Sequence, residues 1–172
     1  MSNRVVIIDI ETTGLDPSAG HRIIEIACVE LLDNSTKGGF YHQYINPQRL
    51  VPKEASQIHG LSNDFLTQKP VIVEIVDEFL DFINDAPLVV HNTEFDISFL
   101  NSELQRTEKT KIKEERILDL LLLIRKKYPN SPGSLDKLCE YFEIDNSDRK
   151  EHGALLDAHI VSELYMRMLR EH

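Results

Sequence analysis

The chain has 172 residues, 41% hydrophobic and 28% charged, with a formal net charge of −10. That length suits one good-sized core and is too short for two comfortable domains, so one domain over 1–172 is expected. The acid excess argues against a tight, non-specific duplex binder, whose affinity rests on basic surface, but leaves room for an enzyme that holds a strand end through cations.

Val5-Val6-Ile7-Ile8 is a β-branched apolar run and predicts a strand buried on both faces. Asp9-Ile10-Glu11 follows, then a turn through Thr12-Thr13-Gly14 to Gly20. Partial alternation predicts strands over 22–32 and 38–45, joined by a hairpin loop at Asp33-Asn34-Ser35-Thr36. Such a meander makes the first part of the sheet antiparallel. Pro52 opens a short helix that reaches Ile58 and ends at His59-Gly60. Ile72, Ile75, Val76, Phe79, Leu80 and Ile83 recur at i, i+3, i+4, i+7, the clearest amphipathic helix in the chain.

Leu88-Val89-Val90 predicts a short buried strand, followed by a helix over 94–105 with Thr93 as its N-cap and Asp96 at N3. Residues 107–115 read as a polar, mobile loop. Ile117-Leu118 reads as the last strand, leading into a helix that stops near Tyr128, before Pro129 and Pro132-Gly133. Ser134 suits the N-cap of a helix over 135–142. A polar loop over 145–151 precedes a final helix from Gly153 to about Leu169, with Ala154, Val161, Leu164, Tyr165 and Met168 as its core stripe. Three strands, then helices alternating with two more, imply an α/β domain with a five-stranded mixed sheet flanked by helices. No apolar run is long enough to span a bilayer and the first residues hold no apolar signal region, so a cytoplasmic protein is expected. Cys28 and Cys139 stand alone in apolar segments and read as buried, reduced thiols.

Chemistry gathers first at Asp9 and Glu11. Residues i and i+2 of a strand point to the same side, so the two carboxylates project together while Ile10 turns to the core. Carboxylates held side by side raise each other's pKa and need a proton, a cation or solvent between them. Hard oxygen ligands at a strand end suit a divalent cation. Taken alone, this short and common pattern is better explained by solvated acids at a turn, and later positions shift the balance. Asp96 sits in the first turn of a helix, where capping and the helix dipole explain it as well as ligation does. Asp157 lies in an otherwise apolar stretch of the last helix, where an unpaired carboxylate is costly. No Lys or Arg lies within one turn of it, which favours a cation. His152 precedes Asp157 by five residues, about 500° of helical rotation, so it belongs on the loop before the helix. A neutral histidine near acids has the right range to take a proton from water. His59 and His91 end structural segments. His21, His42 and His172 read as surface residues.

The set Asp9-x-Glu11, Asp96 and His152-x4-Asp157 resembles the four acids and histidine of the DEDDh 3′→5′ exonucleases, which have an RNase H-like fold. The likeness extends through Thr12 to Leu15, Gly20 to Ile26, Ile58 to Leu61, His91 to Asp96, Ser134 to Asp136, Glu143 to Ser147 and His152 to Asp157. It is similar above all to the branch that proofreads for bacterial DNA polymerase III. The resemblance implies two divalent cations, Mg²⁺ or Mn²⁺, held by Asp9, Glu11 and Asp157 with Asp96 nearby, and His152 as the base. It implies a nucleoside 5′-monophosphate product. It places Thr12, Thr13 and Leu15 around the terminal nucleotide of a single-stranded DNA 3′ end, with His59 and Phe95 as further contacts. In this chain Ile10 stands where that branch often has threonine, and residues 109–115 look shorter than the corresponding loop. That branch also continues into a tail that binds the DNA polymerase III catalytic subunit, whereas this chain stops at His172, which leaves either a polymerase subunit or a free-standing exonuclease. Two other readings stand beside the DNA exonuclease: an RNA-trimming DEDDh enzyme of the ribonuclease T or oligoribonuclease type, separated by how the pocket treats the 2′-OH, and a non-catalytic module that stabilises a polymerase.

Overall fold

The computed structural model describes residues 3–35 and 38–170; Thr36 of the expected hairpin loop and His172 lie outside the described residues. The first strand, β1 (Arg4–Thr12), is buried without a break from Val5 to Ile10. It pairs antiparallel with β2 (Ile23–Leu32), which pairs antiparallel with β3 (Phe40–Tyr44). On its other side β1 runs parallel to β4 (Leu88–Val90), and β4 parallel to β5 (Ile117–Asp119). The order is β3-β2-β1-β4-β5, the expected mixed sheet of five strands with β1 at its centre.

Period-two alternation splits β1 between two core layers. Val5 and Ile7 pack with α5 (Leu120–Lys127), α6 (Leu135–Tyr141) and α7 (Ala154–Arg170). Val6, Ile8 and Ile10 pack with α3 (Ile72–Ile83) and α4 (Thr93–Arg106). Each fully buried aliphatic side chain contributes about 1.5–3 kcal/mol. The same alternation continues past the core, so Asp9 and Glu11 emerge on the α7 side. Ile10 is buried on the opposite side, as expected.

Two short helices, α1 (Lys53–His59) and α2 (Asn63–Thr67), pack near the start of β2, where Ile24 clusters with Leu66 and Ala55. Gly60 closes α1 in the left-handed region (φ 71), and its missing Cβ makes room for the Glu151 carboxylate. The sequence shows no trace of α2, because five residues with two large apolar side chains carry no helical period. Ser62 starts it, accepting from the Phe65 N–H at 3.2 Å.

Three local expectations change. Asn92, not Thr93, caps α4: its backbone is extended and its side chain accepts from the Glu94 N–H at 3.1 Å. Asp96 therefore sits one position further in and accepts from the Asn92 N–H at 3.1 Å. Ser134 precedes α6 but its side chain makes no capping bond. The segment after α4 is anchored rather than loose, since Ile112 is buried and its N–H donates to Asn101 at 2.9 Å. Cys28 and Cys139 are buried free thiols. No helix among the described residues is long and apolar enough to cross a membrane.

Candidate active site

Asp9, Glu11, Thr12, Thr13, Leu15, His59, Phe95, Asp96, His152 and Asp157 all line one open cleft of about 940 Å³. Every predicted site residue thus lines this cleft, and among them Glu11, His152 and Asp157 come within ligand distance of one another. The cleft lies where β1 leaves the sheet, between α1, the start of α4 and the start of α7.

Backbone geometry fixes the acids. Asp9 and Glu11 share a face of β1, and a register shift follows between Glu11 and Thr12. Asp96 is held by the Asn92 N–H. Asp157, 3% exposed, stands in the first turn of α7, where its N–H bonds the Gly153 carbonyl. Oxygens of Glu11 and Asp157 and a ring nitrogen of His152 all lie within 4.8 Å of one another. His152 precedes α7, as expected, and its N–H donates to the Ile58 carbonyl at 3.0 Å, tying the loop to α1.

Crowding of buried acids shapes their protonation. Burial pushes the Asp9 carboxyl well above its usual range, and the charges of Asp96, Asp157, Glu11 and Glu25 add to the shift. Glu11 is pushed up to about 8, first by burial and then by Asp157 and Glu25, with Arg149 opposing. Asp96 rises to about 7 through burial, against the Asn92 N–H, which favours its charged form. Burial and the Arg149 charge lower the pKa of His152, so its ring is neutral near pH 7 and able to accept a proton. Hard oxygen donors that cannot all ionise without a cation fit a divalent ion.

A partner of Asp157 escaped the sequence reading. Arg149, in the loop before α7, grips it in a fork: Nε donates to Oδ1 at 2.6 Å and Nη2 to Oδ2 at 2.9 Å. The absence of Lys or Arg within one helical turn was therefore no guide, because the cation arrives from the loop, eight residues back. Glu25 also escaped. It stands opposite Glu11 in the β1–β2 register, buried, and pairs with His42 Nε2 at 2.7 Å. His42 is thus not a plain surface residue. Neither is His21, whose Nδ1 meets the Thr13 hydroxyl at 3.0 Å. The Thr13 hydroxyl also accepts from the Arg22 N–H at 3.0 Å. The His21 ring packs so close to Gly14 that a Cβ there would lie 2.3 Å from it.

Of the expected contact residues, His59 is the most telling. Its Nδ1 accepts from the Leu61 N–H at 3.1 Å, so Nε2 carries the ring hydrogen. That Nε2 is buried without a partner in a residue 5% exposed and lining the cleft. Leu15 is the opposite case, 85% exposed at the cleft's edge.

The sequence matches the RNase_T exonuclease family over residues 6–165. It is 46% identical over 171 residues to the DNA polymerase III epsilon subunit of Rickettsia conorii, covering 98% of this chain and 74% of that one. It is 42% identical over 172 residues to the epsilon subunit of Escherichia coli, covering 96% and 71%. Among solved structures, the nuclease domain of 3′hExo, a DEDDh family member bound to rAMP, superposes with a TM-score of 0.85 at 19% identity over 99% of this chain and 93% of that one. Exonuclease X in complex with 5′ overhanging duplex DNA superposes with a TM-score of 0.71 at 22% identity over 97% and 92%. These likenesses give the fold as RNase H-like.

Proposed function

The chain belongs to the DEDDh exonuclease family and is a 3′→5′ exonuclease, and from that premise we propose that it trims single-stranded DNA ends to nucleoside 5′-monophosphates as a replicative proofreader. The observation that supports this most is the convergence of Asp9, Glu11, Asp96, His152 and Asp157 on one cleft, where buried acids face a neutral histidine. Family membership implies divalent metal ions. Asp9, Glu11 and Asp157 would hold two of them, Mg²⁺ or Mn²⁺, with Asp96 beside Asp9. Bound there, such ions lower the pKa of water and neutralise the charge that builds on a leaving oxygen.

The chain's own groups do the rest. The His152 nitrogen that faces Glu11 and Asp157 takes the proton of the attacking water. Water oxygen bonds to phosphorus and the bond to the penultimate 3′ oxygen breaks. That oxygen takes a proton from solvent to become the strand's new 3′-OH, and His152 returns its proton to solvent. Thr12 and Thr13 line the terminal nucleotide, whose 3′-OH meets the main chain near Thr12. The unpartnered His59 Nε2–H offers it a hydrogen bond. Phe95 supplies an apolar wall and exposed Leu15 wedges between bases. The names of the relatives support a second partner, the DNA polymerase III catalytic subunit, and a cytoplasmic setting.

The test is digestion of 5′-labelled single-stranded oligonucleotides, DNA beside RNA, with Mg²⁺, Mn²⁺ or EDTA. A cation-dependent ladder shortening from the 3′ end, faster on DNA, is expected. A ladder faster on RNA would move the protein to the RNA-trimming branch. No ladder from folded protein in either metal would leave the non-catalytic polymerase-stabilising module.

A further inference from the structure

Asp157 is already engaged before any metal arrives. Both of its oxygens lie in the Arg149 fork, and both side chains are buried, at 4% and 5% exposure. Arg149 has a second anchor, since its Nη1 donates to Asp136 Oδ1 at 2.6 Å, and the Asp136 side chain is 52% exposed. Arg149 is also the sole Lys or Arg among the described residues that line the cleft.

We propose that Arg149 is the resident counter-cation of the metal-free site, a guanidinium that holds the place of a divalent ion on Asp157 and is displaced when the ion binds. The inference rests on the reading of Asp157 as a cation ligand. Three features support displacement over permanent pairing. First, the fork opens into a cluster with Glu11 and His152 within ligand distance, so a metal and the guanidinium compete for the same carboxylate. Second, Arg149 does not lose all pairing when it lets go, because Nη1 keeps the solvent-facing Asp136. Third, Arg149 sits in a loop outside any helix or strand, held locally by the turn from its N–H to the Asn146 carbonyl at 2.9 Å, so moving its side chain breaks no regular structure. A purely structural fork looks different. In Arg22–Glu103 the carboxylate also accepts from the Ile23 N–H, and neither the arginine nor the glutamate lines the cleft.

The exchange carries a clear consequence. Part of the free energy of metal binding goes into displacing Arg149, so the native site binds cations more weakly than its oxygens alone would. Calorimetric titration of substrate-free protein with Mn²⁺ tests this in the wild type, Arg149→Met and Arg149→Lys, with thermal melts to check folding. Arg149→Met should bind Mn²⁺ at least about tenfold more tightly than wild type, and Arg149→Lys, which keeps a charge but cannot fork, should fall between. Equal or weaker binding by Arg149→Met, with wild type still binding, would overturn the displacement and leave the cation site standing. No binding by any of the three would remove the cation site and the inference with it. Should Arg149→Met fail to fold, the wild type decides alone. The Arg149 Nε–H NMR resonance should be sharp and protected in EDTA and should shift or broaden on saturation with Mg²⁺. An unmoved resonance would overturn the proposal.

Discussion

Arg22–Glu103 and Arg149–Asp157 are both buried arginine–carboxylate forks with nearly the same distances. Their surroundings separate them. Glu103 accepts the Ile23 N–H as well, so it is fully answered, and it ties the start of β2 to α4. Asp157 takes the fork of Arg149, the sole Lys or Arg among the described residues that line the cleft. Asp9, Glu11 and Asp96 stand in the same cleft, with burial pushing them toward their neutral forms. A satisfied buried fork holds a fold together. A cluster of acids short of positive charge is poised to take it up from outside, and perturbed carboxyls in a cleft are where function concentrates.

The contrast can be broken at several points. Asp9→Ala or Asp157→Ala removes a cation ligand, with several kcal/mol of transition-state stabilisation involved. Hydrolysis should fall by about 10³-fold or more in a labelled-oligonucleotide assay with the fold retained. Normal activity in Asp9→Ala would sink the site assignment. His152→Ala should lower kcat by about 10²–10⁴-fold while calorimetry still shows Mn²⁺ binding. Loss of binding would make His152 a ligand rather than a base. Glu103→Ala strands the Arg22 charge and should cost about 3–5 kcal/mol in denaturant unfolding. Asp9→Asn, by contrast, relieves repulsion and should leave metal-free stability equal or higher, whereas a comparable loss in both variants would erase the distinction between the two regions. Leu15→Ala should have the smallest effect, a rise in KM for oligonucleotides with little change in kcat. A matching fall in kcat would place Leu15 closer to the reaction than a wedge.

Local rules carried much of this molecule. The β-branched run of β1 and the i, i+3, i+4 pattern of α3 predict their elements because each depends only on neighbours in the chain. Period two alone places Asp9 and Glu11 on one side. What could not be read depends on contacts between distant segments. Arg149 shows as one more charge in a polar loop, and only the docking of that loop against α7 aims it at Asp157. Glu25 looks like the polar face of an alternating strand until the β1–β2 register sets it opposite Glu11. The α4 cap moved by one residue because Asn92 and Thr93 are both able caps, and the extended backbone at Asn92 decides between them.

The most direct test of the undercompensated site is thermal stability with and without cation across pH. Glu11 ordinarily titrates near 4.5 and is held near 8 in the folded protein. Between those values the folded state keeps a proton that the unfolded chain has released, so metal-free stability should fall as pH rises through that window. A divalent cation replaces that proton. The gain in Tm on adding Mg²⁺ or Mn²⁺ to EDTA-treated protein should therefore be small at pH 5 and large at pH 8.5, and should collapse in Asp9→Asn. An equal gain at both pH values, or none at pH 8.5, would contradict a cluster of buried acids built to receive a cation.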